Sequence, residues 1–245
     1  MNLRYLFACI ILFTNTCFSQ ETTSTKVFEQ TALLNKITFY NPKYDQPKFS
    51  CGFLLKYNNE TFAVTAKHVL QIIKPDEMKT LSLGNFIKSW SLFPLDQPNE
   101  VVNTDALLNE NKDESLSDKA SLNEDWLLFS IKSNLSKTKV LEVRTTPLVQ
   151  GEKLYVIGWT RKMETGKQRV YEFEYFKTLN NRILLKDIIV PEKFGGLSGA
   201  PLVDEQGYVV GIVSNGTVDP DSNKRYFSPC ALDGLITFIK KYQGK

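Results

Sequence analysis

Gly195-Gly196-Leu197-Ser198-Gly199-Ala200-Pro201-Leu202-Val203-Asp204-Glu205-Gln206-Gly207-Tyr208-Val209-Val210-Gly211-Ile212-Val213-Ser214-Asn215-Gly216 carries most of what the chain says about its fold. Residues 201–203 and 208–214 are short apolar runs, and Asp204-Glu205-Gln206-Gly207 between them is turn chemistry. The stretch therefore predicts two strands joined by a tight turn, with a glycine-rich bend ahead of the first. The same punctuation extends upstream, where 153–159, 170–178 and 183–190 are strand-like runs with glycine at several breaks. Downstream the period changes. Leu232, Leu235, Ile236 and Ile239 recur at helical spacing, with Asp233 as a plausible cap and Lys240-Lys241 in the last turn, so one helix closes the chain.

Further from the centre, 37–40, 49–57 and 61–65 are apolar runs broken by Asn41-Pro42-Lys43 and Asn58-Asn59-Glu60. The last two form a β-hairpin that ends at Ala66-Lys67-His68. Residues 69–73 predict a helical turn stopped near Pro75, so His68 sits where a strand gives way to a turn. Residues 96–124 are polar and acidic and read as a long surface excursion, after which 126–131 restores a strand. Many short strands with a terminal helix suit an all-β fold built of barrels better than alternating βα units.

The 42% apolar content of the 245 residues supplies a sizeable core. A net charge of +3, with basic residues scattered among acidic ones, makes no stripe that would track phosphates, which argues against a nucleic-acid partner. Residues 1–19 read as a secretory signal: one charge at Arg4, an apolar run over 5–13, and small residues at Cys17 and Ser19 before a cleavage ahead of Gln20. Nine apolar residues fall well short of the roughly 20 that span a bilayer. A lipid anchor at Cys17 is the weaker alternative, because Thr14-Asn15-Thr16 lacks an apolar residue. The expected location is secreted or periplasmic, with no membrane contact after the signal is removed. Cys51 and Cys230 then remain, either as one disulfide or as two buried thiols.

A serine hydroxyl needs a neighbouring base, and amide donors for the oxyanion it creates. Gly195, Gly196 and Gly199 permit backbone angles that could bring the amides of Gly196 and Ser198 to one point, although such segments also occur in ordinary tight turns. The chain has a single histidine, so any imidazole mechanism must use His68, and a histidine-rich zinc site is impossible. No cofactor is called for, and no metal-ligand spacing stands out.

Thr65-Ala66-Lys67-His68-Val69-Leu70 resembles the Thr-Ala-x-His segment of the trypsin-like (chymotrypsin-fold) serine peptidases. Gly-Leu-Ser-Gly-Ala-Pro-Leu-Val around Ser198 is similar to their Gly-Asp-Ser-Gly-Gly-Pro-Leu, and Glu124-Asp125-Trp126-Leu127-Leu128 looks like their Asp-x-Ala-Leu-Leu. The three segments come in the order of that family's triad and span roughly residues 30–240, with nothing to align over 71–120. The resemblance implies two antiparallel six-stranded β-barrels and a C-terminal α-helix. The first barrel, within 20–140, would carry His68 and Asp125, and the second, within 141–245, Ser198. It also implies a secreted endopeptidase acting on polypeptides, with Asp113 and Asp118 as rivals to Asp125 for the acid. Glu192 falls where the family's specificity pocket has its floor, which would suit basic side chains unless Lys193 or Arg225 neutralises it. Ser214, Asn215 and Gly216 would pair with the substrate backbone. Leu197 stands where animal members carry the aspartate that binds a new N-terminus, so that activation switch is excluded. A catalytically silent binding protein and an esterase using the same triad are the alternatives.

Overall fold

The computed structural model describes residues 24–244, so the expected signal over 1–19 lies outside the described residues. The first half of the chain lays down β1 (Ala32–Phe39), β2 (Gln46–Tyr57), β3 (Glu60–Thr65), the helix α1 (Lys67–Ile73), β4 (Thr80–Leu81), β5 (Ile87–Phe93), β6 (Val102–Leu107), β7 (Asn111–Ser115), β8 (Leu127–Asn134) and β9 (Leu141–Glu142). Asn58, at φ 52°, makes the turn between β2 and β3, a left-handed conformation that asparagine tolerates better than most side chains. Six of these strands form a ring in the order β1-β5-β6-β8-β3-β2, closed by the β1–β2 pairing. Closure leaves no edge within the ring for another chain to pair with. β9 adds to the outside of β2 in parallel, and β4 with β7 makes a separate small sheet.

Leu54, Trp90 and Phe129 pack the inside of this ring, and among them lies a fully buried polar side chain, Asn35. Its amide nitrogen donates to the Cys51 carbonyl (2.9 Å) and to Thr65 Oγ1 (3.2 Å), while its oxygen accepts from Trp90 Nε1 (2.9 Å). Thr65 in turn donates to the same Cys51 carbonyl at 2.7 Å. With every partner satisfied, such a network fixes how β1, β2, β3 and β5 meet. That meeting point is where β3 hands the chain to α1.

The second half adds β10 (Lys153–Gly158), β11 (Arg169–Leu179), β12 (Arg182–Ile189), β13 (Pro201–Val203), β14 (Val209–Ile212), β15 (Gly216–Val218), β16 (Arg225–Phe227), β17 (Cys230–Ala231) and α2 (Asp233–Gln243). The ring here runs β11-β10-β13-β14-β17-β12 and closes through β11–β12, with the β15–β16 hairpin attached to β12 and β15 outermost. α2 buries Leu235 and Ile239, and its Phe238 ring lies 5.4 Å from that of Trp126 beside the first barrel. Burying one such aliphatic side chain is worth roughly 1.5–3 kcal/mol, so α2 is held by packing more than by its cap. Leu232, not Asp233, occupies the capping position, and no side chain bonds there.

The all-β, two-barrel fold is the one the sequence implies. One part of it differs from the sequence reading. Within the expected surface excursion 96–124, Val102–Leu107 is β6, a member of the first ring bonded to β5 and β8. Its burial alternates weakly, with buried Val102 and Leu107 at the ends and polar residues between, so no period marks it as a strand. Leu141 and Glu142 of β9 pair with Leu55 and Lys56 of the first barrel. Cys51 and Cys230 are separate, buried thiols. Burial pushes Cys51 up to about 12 and Cys230 up to about 11. Among the described residues no helix is long and apolar enough to cross a membrane.

Candidate active site

β3 ends at Thr65, and the chain turns into α1 so that His68 falls in the first helical turn. Across the sheet, Thr65 pairs with Leu127 of β8, and this register brings Asp125, just ahead of β8, to the same end of the barrel. Asp125 Oδ2 lies 2.7 Å from His68 Nδ1, and Asp125 Oδ1 accepts the His68 backbone N–H at 2.8 Å. Two contacts to one residue fix both the position and the tilt of the imidazole. Asp125 is fully buried. Burial pushes its carboxyl up, but the bond and charge of His68, the Ser214 hydroxyl and the His68 amide outweigh it, and the carboxyl ends below its ordinary value. It is therefore ionised at neutral pH, and Nδ1 carries the proton in the bond between them.

Ser198 comes from the other barrel, in the bend before β13, and its Oγ lies 2.7 Å from His68 Nε2. With Nδ1 protonated, a neutral imidazole presents Nε2 to the hydroxyl as an acceptor. Backbone bonds hold Ser198 on both sides: its carbonyl accepts from Cys51 N (2.8 Å), and Gly199 N donates to Val213 O (2.9 Å). A Cβ at Gly199, whose φ is 80°, would stand 2.9 Å from Ala66 N and closer still to the Cys51 carbonyl and Thr65 Oγ1. Only glycine lets the two barrels meet this closely here.

The bend ahead of Ser198 has a fixed sense as well. Gly195 O accepts from Arg161 N at 2.6 Å. In a trans peptide the C=O and the next N–H point opposite ways, so the Gly196 N–H is aimed away from Arg161. Among the described residues, neither the Gly196 nor the Ser198 N–H is given to a protein acceptor. Leu197 between them is fully buried, against Gly158, and makes the bend's anchor apolar. The arrangement is a hydroxyl, a base oriented by a buried carboxylate, and two unspent amide donors.

A family model described as Trypsin matches residues 37–231. The chain belongs to the trypsin family. Among solved structures, that of GrC superposes with a TM-score of 0.60 at 17% identity, covering 91% of this chain and 98% of that one. A Glu endopeptidase in complex with MPD does so with 0.59 at 14% identity, covering 92% and 96%. Both likenesses are of fold. No curated protein matches the chain by sequence.

In this trypsin-family chain the remaining sequence-expected residues fall into two groups. Gly216 starts β15, the outermost strand of its sheet, which leaves one side of that strand unpaired, and the Asn215 side chain is exposed beside it. The side chain of Ser214 points inward: its Oγ donates to Asp125 Oδ2 and accepts from Arg182. Glu192 does not form the floor of a buried pocket. Its carboxylate is 68% exposed and ion-paired with Lys162 at 2.6 Å, because Glu192 and Lys193 stand out to solvent between buried Pro191 and half-buried Phe194. Asp113 lies on β7 and Asp118 caps the turn before Asp125, so neither reaches His68. Arg182, Arg161 and Cys51 were missed in the sequence. They act through backbone groups or from the far side of Asp125, and nothing in their local pattern points there.

Proposed function

We propose that the chain is an exported serine endopeptidase, with His68, Asp125 and Ser198 as its triad and residues 1–19 as the signal that exports it. The observation that carries this reading is the unbroken line from buried Asp125 through His68 to Ser198 Oγ, with 2.7 Å at each step. A peptide lying along the open side of Gly216–Val218 would add a strand and bring its carbonyl to Ser198. Ser198 Oγ attacks the carbonyl carbon while His68 Nε2 takes the hydroxyl proton. The developing oxyanion turns toward the amides of Gly196 and Ser198, each such donor being worth about 2.7–4 kcal/mol in the transition state. As the C–N bond breaks, His68 returns the proton to the leaving amine, and an acyl group remains on Ser198. Water then repeats the sequence, giving its proton to His68 and releasing the acid. Asp125 stays ionised throughout and stabilises the imidazolium.

Incubating the mature chain with a mixed peptide library and reading the products by mass spectrometry tests the reaction. Cleaved peptides that disappear with Ser198→Ala are the expected result. Turnover of activated esters with no peptide cleaved would replace the endopeptidase with an esterase, and no turnover of either would leave a binding protein.

A further inference from the structure

Arg182 opens β12 in the second barrel, directly after the Asn180-Asn181 turn. Its guanidinium reaches two oxygens on opposite sides of the junction between barrels. Nη1 donates to Ser214 Oγ at 2.6 Å, and Nη2 donates to the carbonyl of Leu122. Leu122 belongs to the short 3-10 helix Lys119–Glu124 that leads into Asp125 from the first barrel. One side chain therefore holds both the approach to the acid and the acid's own hydroxyl partner.

The direction of these bonds follows from chemistry. A guanidinium has five N–H donors and no acceptor, so Ser214 Oγ must meet it with a lone pair. The one proton of Ser214 is then left for its other neighbour, Asp125 Oδ2, to which it donates. The carboxylate draws that proton to itself, and Arg182, bonded to the oxygen from the other side, holds the hydroxyl in place to give it. Both acceptors of Arg182 are neutral oxygens, so its charge is not spent in an ion pair with them. The charged and titratable groups around it are Asp125 and, beyond it, His68; Glu124 of the preceding turn; and Cys230 of β17, opposite Arg182 in register. Glu124 is already engaged, accepting from Trp126 Nε1 (2.8 Å) and Asn181 Nδ2 (3.4 Å).

We infer that Arg182 is a positioning residue for acylation, acting through Ser214 to hold Asp125 and so the His68 ring in register with Ser198. The inference rests on the peptidase reading above. Charge-assisted bonds of this type, lost through a residue that acts in the transition state, lower rates by roughly 10- to 100-fold.

A double-mutant cycle on the full mature chain tests it. The readouts are p-nitrophenyl acetate turnover and the rate of inactivation by a fluorophosphonate, both scaled to folded protein by circular dichroism. Arg182→Met is expected to lower kcat and the inactivation rate about 10- to 100-fold with KM within about threefold, and Arg182→Lys to recover part of the loss. In a Ser214→Ala background, Arg182→Met is expected to cost less than about threefold, because the path it acts through is gone. If Arg182→Met does not fold, Arg182→Lys carries the same cycle with a loss of roughly tenfold that vanishes on Ser214→Ala. A wild-type rate in Arg182→Met, or a loss that persists undiminished on Ser214→Ala, overturns the inference while the peptidase reading stands. A wild-type chain that neither labels nor turns over the ester overturns both.

Discussion

Replacing Gly196 with alanine tests the proposed oxyanion donors separately from the proposed triad. The backbone at Gly196 has φ 105°, a region that side-chain-bearing residues rarely adopt. A Cβ there would lie 2.8 Å from the Thr160 carbonyl carbon, 3.0 Å from the Trp159 carbonyl oxygen and closer still to Arg161 N. Non-bonded carbons prefer about 3.5–4.0 Å, so the clash with Thr160 alone is roughly 1 Å deep. All three neighbours are backbone and cannot rotate away. The segment from Gly195 to Leu197 must therefore shift by about that distance or turn its peptide over, and either removes the Gly196 N–H from the oxyanion position. A 1 Å misplacement costs on the order of 100-fold, and loss of one oxyanion donor about 100- to 1,000-fold, equivalent to 2.7–4 kcal/mol. Steady-state kinetics on an activated ester, alongside thermal unfolding, would measure it. Gly196→Ala is expected to keep its fold, to lose about 100- to 1,000-fold in kcat, and to lose much less in KM. A folded Gly196→Ala enzyme within a few-fold of wild-type kcat would show that the Gly196 amide takes no part.

Asp125→Asn leaves the side chain's shape but not its charge, and kcat is expected to fall about 10,000-fold, measured on the same ester. The same carboxyl shapes acid stability. Held below its ordinary value in the folded chain, Asp125 stabilises the fold fully above the unfolded aspartate value near about 3.9, and that contribution is lost as pH falls through the folded value. Urea unfolding at a series of pH values is expected to find Asp125→Asn less stable at pH 7, with the gap closing below about pH 4; a gap independent of pH contradicts the assignment. Leu197→Asp does not create an activation switch. It places an unpaired carboxylate in a fully buried apolar site, and a loss of several kcal/mol by denaturant titration is expected. Cys51 and Cys230 are expected to ignore a thiol reagent in the native mature protein and to titrate as two free thiols after denaturation.

Much of the site is written in local sequence because the residues that meet there sit at strand ends, where punctuation is strong. His68 comes just after an apolar strand, Asp125 just before one, and Ser198 lies in a glycine-rich bend where Gly199 is required by the close approach of the other barrel and Gly196 by the backbone of 159–161. What escaped the sequence is non-local. β6 has polar residues in its middle and is a strand only because β5 and β8 offer it partners on both sides. The displacement of Glu192 from any pocket depends on the path of residues 191–194, which position along the chain does not reveal. Ser214 was legible as part of the strand following the nucleophile, but not as a partner of Asp125, since its direction is set by Arg182, 32 residues earlier. Arg182 itself looks like any basic residue opening a strand, and its reach to Leu122 spans 60 residues.

The most direct test of the triad is covalent labelling of the mature chain with a fluorophosphonate, mapped to a residue by tandem mass spectrometry. Stoichiometric modification on Ser198, abolished by Ser198→Ala and strongly reduced by His68→Ala, is the expected result. A folded wild-type chain that takes up no label, or one labelled equally well without His68, would contradict it.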